Sequence, residues 1–214
     1  MSLGISWVTA WIDDTVEVVS HNRTRLSELD REIGDGDHGE NLDRGFSAVK
    51  IKFDTLPDDA TPGAALKLVA TTLISTVGGA SGPLLGTAFL KGAQALGDAP
   101  EIDADGVVAL LTAARDGVVL RGKAEPGDKT MIDAWTPAVD AAGEAAAAGA
   151  SPAGVLRAAA AAASAGAEST EPLVARKGRA SYLGERAIGH RDPGAESSAL
   201  IITAAADAAA ATEG

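Results

Sequence analysis

A chain of 214 residues with a formal net charge of −12 is long enough to bury a sizeable core. It is too acidic to be a general nucleic-acid binder, which needs a basic face. The absence of cysteine excludes a disulfide framework and thiolate chemistry. Apolar residues make up 46% but aromatics only 3%, so a tight core must come from closely approaching Ala-rich helices instead of large rings.

Apolar residues recur at helical spacing through residues 3–28 (Ile5, Val8, Ile12, Val16, Val19, Leu26), with Trp7 and Trp11 one turn apart on a core stripe. This N-terminal stretch has no basic region and acquires acids by residue 13, so it does not read as a signal peptide. Residues 33–39 are rich in Gly and Asp and form a loop or a broken helix end. A second helix runs from about 40 to 53. Thr61-Pro62 is a cap followed by proline, opening a third helix that Gly78-Gly79 stops. Pro83 starts a fourth, to about Leu96. Asp103 or Asp105 caps a fifth, which ends near Gly122. After the polar loop 123–129, a sixth helix runs from about 130 to 148. Ser151-Pro152 opens a seventh. An Arg- and Gly-rich loop over about 169–191 precedes a last helix, capped by Asp192-Pro193 and running through about Ala211. No segment supports a strand.

The expectation is an all-α chain, a single domain over 1–214 with eight helices and short connections that favour antiparallel neighbours. The Ala-rich run 141–167 is interrupted by Glu144, Pro152 and Arg157, which argues against a membrane span. A cytoplasmic protein is expected.

Three constellations carry chemistry. Asp30, Asp35 and Asp37 fall within eight residues. Such carboxylates repel unless a cation sits among them, and an oxygen-only donor set selects a hard one, Mg²⁺ or Ca²⁺. An EF-hand fails: counted from Asp35, position six is Glu40 and position twelve is Phe46. Mg²⁺ with a phosphorylated ligand fits better, although an acidic surface loop gives the same pattern. Gly34-x-Gly36-x-x-Gly39 matches a dinucleotide fingerprint literally, but no strand precedes it and acids fill the pyrophosphate positions. The second constellation, Gly78 to Pro83 with Ser81, can form an anion nest at a helix N-terminus, or simply a flexible turn. The third is a local run of cations, Arg176, Lys177, Arg179, Arg186 and Arg191, suited to phosphate or merely solvated. His38 is either a ligand or general base, or a hydrogen-bonded loop residue. Together these suggest a nucleotide held by its phosphates.

At these residues the sequence resembles the L subunit of dihydroxyacetone kinase, the nucleotide-binding subunit of the phosphotransferase-system type. The carrying stretches are 29–46 (LDREIGDGDHGENLDRGF), 77–87 (VGGASGPLLGT), 121–131 (RGKAEPGDKTM) and 175–195 (ARKGRASYLGERAIGHRDPGA). The resemblance implies an antiparallel eight-helix barrel with the nucleotide at one end. It implies two Mg²⁺ ions held by Asp30, Asp35 and Asp37. It implies ADP/ATP contacts from His38, Gly39, Glu40, Asn41, Gly79, Ala80, Ser81, Gly122, Met131, Arg179, Asp192, Pro193 and Gly194.

It further implies that tightly bound ADP serves as a coenzyme, rephosphorylated by a phosphohistidine carrier (M) subunit. The γ-phosphoryl would pass to dihydroxyacetone held on a K subunit, so this chain carries no catalytic residue of its own beyond the metal site. The length is that of a free-standing subunit, and no nucleic acid or membrane partner is implied. A homodimer is compatible. Two alternatives remain open at this point. One is an L-type subunit of an ATP-dependent kinase for another ketose or tetrose. The other is a non-catalytic nucleotide-sensing adaptor.

Overall fold

The computed structural model describes residues 2–57 and 59–213; of the single domain expected over 1–214, Met1, Asp58 and Gly214 lie outside them. Nine α-helices are present among the described residues: α1 (Ile5–His21), α2 (Arg23–Ile33), α3 (His38–Phe53), α4 (Pro62–Thr76), α5 (Ser81–Leu96), α6 (Ala104–Gly122), α7 (Ile132–Ala147), α8 (Pro152–Ser169) and α9 (Pro193–Glu213). A 3-10 helix spans Arg179–Ala187 inside the long loop before α9. The strand-like feature is a lone antiparallel bridge between Leu3 and Ile102.

The cap signals work as expected. Thr61 Oγ1 accepts from Ala64 N at 3.2 Å, Asp103 Oδ1 from Gly106 N at 2.9 Å, Ser151 Oγ from Gly154 N at 3.2 Å and Asp192 Oδ2 from Ala195 N at 2.7 Å. Each satisfies an orphan amide of a first turn. The first expected helix is instead two, divided at Asn22. Its side-chain amide donates to Val18 O at 2.8 Å, a local bond that competes with the helix ladder.

Eight helices close a ring: α1 packs on α3, then α3 on α4, α4 on α5, and so on to α9, which returns to α1. The helix α2 stands outside the ring, against α3, α9 and the 3-10 segment. One continuous apolar core fills the barrel. Trp7 stacks on Trp11 with ring centroids 5.2 Å apart, and Trp11 meets Phe89 at 5.5 Å. Both indoles donate to α9 carbonyls, Trp7 to Ala205 O at 3.0 Å and Trp11 to Ile201 O at 2.9 Å. Trp135 Nε1 reaches the same helix at Ser198 Oγ, 3.1 Å away. Elsewhere helices approach through glycine. Pro137 cannot donate to the Asp133 carbonyl, and α8 packs closely there: a Cβ on Gly166 would lie 2.2 Å from that oxygen.

Because neighbours alternate in direction, every second connection falls at the same end. The links α2–α3, α4–α5, α6–α7 and α8–α9 therefore gather there, with the N-termini of α3, α5, α7 and α9. No described helix is long and apolar enough to cross a membrane.

Candidate functional site

Those four links enclose a pocket of about 180 Å³. Asp30, Asp35, Asp37 and His38 line one side; Gly79, Ala80 and Ser81 face them; Lys129, Thr130, Met131 and Asp192 to Gly194 close the rest. A contiguous slot of about 390 Å³ opens from it, lined mainly by Leu84, Val118, Gly122, Ala124, Met131 and Ile132. The two share Ala80, Leu84, Thr130, Met131, Lys177 and Gly178, so a polar end joins an apolar one. Four helix N-termini give the polar end the positive half of their dipoles, which favours an anion.

The acidic side is tightly built. One oxygen atom from each of Asp30, Asp35 and Asp37 falls within 4.8 Å of the others. Asp30 lies in the last turn of α2 and is buried. Its Oδ2 accepts from Asp37 N at 2.9 Å and His38 N at 3.2 Å, so it caps α3 from across the loop. That leaves Oδ1 for another partner. Gly34 makes room for it: a Cβ there would lie 2.1 Å from Asp30 Oδ1. Gly36, at φ +78, turns the chain between Asp35 and Asp37. Burial, with help from the Asp35 and Asp37 charges, pushes Asp30 above the usual carboxylate range against the pull of the two amides. Three converging carboxylates, one of them buried, beside a cradle that any side chain would fill, match the oxygen-only donor set that a hard divalent cation takes.

His38 is buried in the first turn of α3, with Nε2 2.9 Å from Ser197 Oγ. Burial lowers its pKa to about 4, so the ring is neutral near pH 7. Asp192 keeps part of its surface open to the pocket, but the protein around its carboxyl, with Asp133 and Asp30 nearby, pushes it up to about 7. Arg179 Nη1 lies 2.8 Å from Asp35 Oδ2, so the long loop reaches across to the acids.

Of the residues expected at a nucleotide, His38, Gly79, Ala80, Ser81, Met131, Arg179, Asp192, Pro193 and Gly194 line the polar pocket, and Gly122 with Met131 lines the apolar slot. Three lie outside both. Gly39 packs α3 on α2, where a Cβ would fall 2.0 Å from Arg23 O. Glu40 is exposed and pairs with Arg23 at 3.5 Å. Asn41 is buried beneath Gly78. The run of cations divides: Lys177 and Arg179 line the pocket, whereas Arg191 is consumed by Glu171 at 2.9 Å and Glu196 at 2.8 Å. Sequence reasoning missed Leu84, Thr130 and Lys129. The last was read as part of a polar loop yet is 1% exposed. Nothing in the sequence around it signals that burial.

Residues 32–207 match the family model described as the DAK2 domain. The chain is 45% identical over 197 residues to the PEP-dependent dihydroxyacetone kinase ADP-binding subunit DhaL of Escherichia coli, covering 92% of this chain and 93% of that one. It is equally similar, 45% over 205 residues, to subunit DhaL of dihydroxyacetone kinase 1 of Listeria innocua, covering 95% and 96%. The dihydroxyacetone kinase of C. freundii, solved in complex with AMP-PNP and Mg²⁺, superposes with a TM-score of 0.71 at 28% identity over 97% of this chain, which spans 34% of that longer one.

Proposed function

The chain belongs to the DAK2-domain family, and from that membership we propose that it is the ADP-binding subunit of a multi-subunit dihydroxyacetone kinase. In this reading a phosphohistidine carrier (M) subunit recharges the bound ADP, and the γ-phosphoryl goes to dihydroxyacetone on a K subunit, giving dihydroxyacetone phosphate. The observation that carries the reading is the facing pair of loops: three carboxylates on one side of the pocket, Gly79 to Ser81 at a helix N-terminus on the other.

Asp30, Asp35 and Asp37 would hold two Mg²⁺ ions. When bound, these offset phosphate charge and orient the oxygens for in-line transfer. The chain's own groups do the rest. The amides at Gly79 to Ser81 and the α5 dipole bind an anion without spending a side-chain charge. Arg179 and Lys177 supply cations from the loop side. Neutral His38 holds a hydrogen bond instead of moving a proton, consistent with a nucleotide-binding role and not that of general base. Leu84, Met131 and Gly122 shape an apolar slot of a kind that takes a purine ring, with Met131 adapting to its outline. The pocket opens toward solvent between the loops, so a transferred phosphoryl group can reach another protein there.

The test is reconstitution. The chain, purified gently, should carry ADP and Mg²⁺ by native mass spectrometry. With a cognate K subunit, the carrier proteins and dihydroxyacetone it should yield dihydroxyacetone phosphate without added ATP. Rapid exchange of ADP with turnover on free ATP alone would overturn the coenzyme reading.

A further inference from the structure

A lysine in the pocket lining is itself buried. Lys129 is 1% exposed, and its backbone is left-handed at φ +61, a conformation that costs energy in a residue with a Cβ. Among the described residues its ammonium sits in no salt bridge. It donates instead to three backbone carbonyls, Thr170 O at 2.8 Å, Leu173 O at 3.2 Å and Glu171 O at 3.3 Å. These carbonyls lie in the turn that follows α8, where Thr170 O also accepts from Leu173 N and Glu171 O from Gly189 N. One lysine thus ties the turn after α8 to a different loop.

Those same residues form the neck of the long loop. Gly189 N donates to Glu171 O at 2.8 Å, Asp192 N to Thr170 Oγ1 at 3.0 Å, and Arg191 pairs with Glu171. Arg176 N adds a bond back to Asp128 O at 3.0 Å. Beyond the neck the loop is a nearly separate body. Ala175, Ala180 and Ala187 pack with Ile33 in a small apolar cluster apart from the barrel core. It carries Lys177 and Arg179 into the pocket. On the other side of Lys129, its chain neighbours Thr130 and Met131 line both pocket and slot.

We propose that Lys129 is a positioning residue for the nucleotide: its ammonium fixes the neck of loop 171–191 to the Thr130-Met131 wall, so that Arg179 and Met131 are held in register across the pocket. This rests on the nucleotide reading above. A charge kept away from solvent is costly, and burial lowers the Lys129 pKa against the Asp192, Glu171 and Asp133 charges. A helix end needing only termination could use glycine or water, without a strained lysine. The ammonium joins two segments 41 to 44 residues apart through three bonds, beside the one from Arg176 N to Asp128 O.

The test is a double-mutant cycle on Mg·ADP affinity, by calorimetric titration of the full chain below its melting range. Lys129→Met keeps the stem and deletes the donors. It should weaken ADP at least tenfold and lower amide-exchange protection across 171–191 while α4 and α5 keep theirs. Combined with Arg179→Ala, it should be clearly less than additive, because each change removes the same placement of the loop. Additive effects, or an unchanged Kd with only a lower melting temperature, would reduce Lys129 to a structural role and overturn the proposal. Should Lys129→Met not fold, Lys129→Gln, which keeps two N–H donors, carries the same cycle. A wild-type chain that binds no ADP with Mg²⁺ would defeat the nucleotide reading and this proposal together; wild-type binding with an additive cycle defeats only the proposal.

Discussion

Arg179 Nη1 lies 2.8 Å from Asp35 Oδ2, tying the loop after α8 to the loop after α2 across the mouth of the pocket. Both partners are substantially exposed, so the pair itself contributes less than about 1 kcal/mol to folding. Arg179→Gln should leave the denaturation midpoint of the ligand-free chain nearly unchanged. It should weaken Mg·ADP about tenfold, about 1.4 kcal/mol, because the same guanidinium faces the phosphates in the proposed complex. Equal affinity in variant and wild type would remove Arg179 from the site.

The three carboxylates should separate on mutation. Asp30→Ala loses the acceptor for the Asp37 and His38 amides, a cap whose loss costs about 1–2 kcal/mol. Asp35→Ala and Asp37→Ala lose no such acceptor and relieve like-charge repulsion, so ligand-free stability should hold or rise. All three should lose most of the melting-temperature increase that Mg·ADP gives the wild type. Retention of the full shift in any one would exclude that residue as a ligand.

Gly34→Ala is the least obvious way to damage the proposed metal site. The added Cβ would meet Asp30 Oδ1 at 2.1 Å and Asp30 O at 2.9 Å, so the carboxylate must move. Overpacking of this kind costs about 1–3 kcal/mol. The expected result is a helical chain with unchanged far-UV circular dichroism and at least tenfold weaker Mg²⁺ binding. Normal Mg²⁺ affinity would show that Oδ1 is not a ligand.

Two groups in the pocket wall should oppose each other in the pH dependence of the ligand-free protein. Asp192 is raised from 3.8 to about 7, so its contribution is intact below pH 3.8 and becomes unfavourable as pH rises to about 7. His38 is lowered from 6.5 to about 4, so its contribution is intact above pH 6.5 and is lost as pH falls to about 4. Asp192→Asn keeps an oxygen for Ala195 N and deletes the first slope. The stability of the variant relative to wild type, from urea midpoints, should grow between pH 4 and 7. The scale is about 1.4 kcal/mol per pH unit for a fully titrating group. A constant difference would mean that Asp192 titrates normally.

Most of the helices were legible because their signals are local. Thr61-Pro62, Ser151-Pro152 and Asp192-Pro193 each cap the helix they announce, and period and composition supply the rest. The division at Asn22 was not, because a single side-chain bond to Val18 O leaves the apolar period intact. The acids at 30, 35 and 37 were legible because they crowd in sequence. Glu40 entered through the resemblance, as part of the run from His38 to Asn41, but a helix turns its residues around an axis, and Glu40 points to Arg23. Arg191 illustrates the converse: its charge was visible, while its partners Glu171 and Glu196 come from elements that only the fold brings together. Burial of Lys129 depends on carbonyls more than forty residues away and leaves no trace in its own neighbourhood.

The three tryptophans of the chain all donate to α9, from Trp7, Trp11 and Trp135. That helix begins with Pro193 and Gly194 at the pocket wall, and Ser198, the partner of Trp135, also donates to Gly194 O at 2.7 Å. Intrinsic fluorescence is therefore a ready-made optical readout of the pocket end of the barrel. Emission from Trp135 should sense a ligand through one hydrogen-bonded step, and Trp7→Phe with Trp11→Phe would isolate it from the two overlapping signals further along the helix.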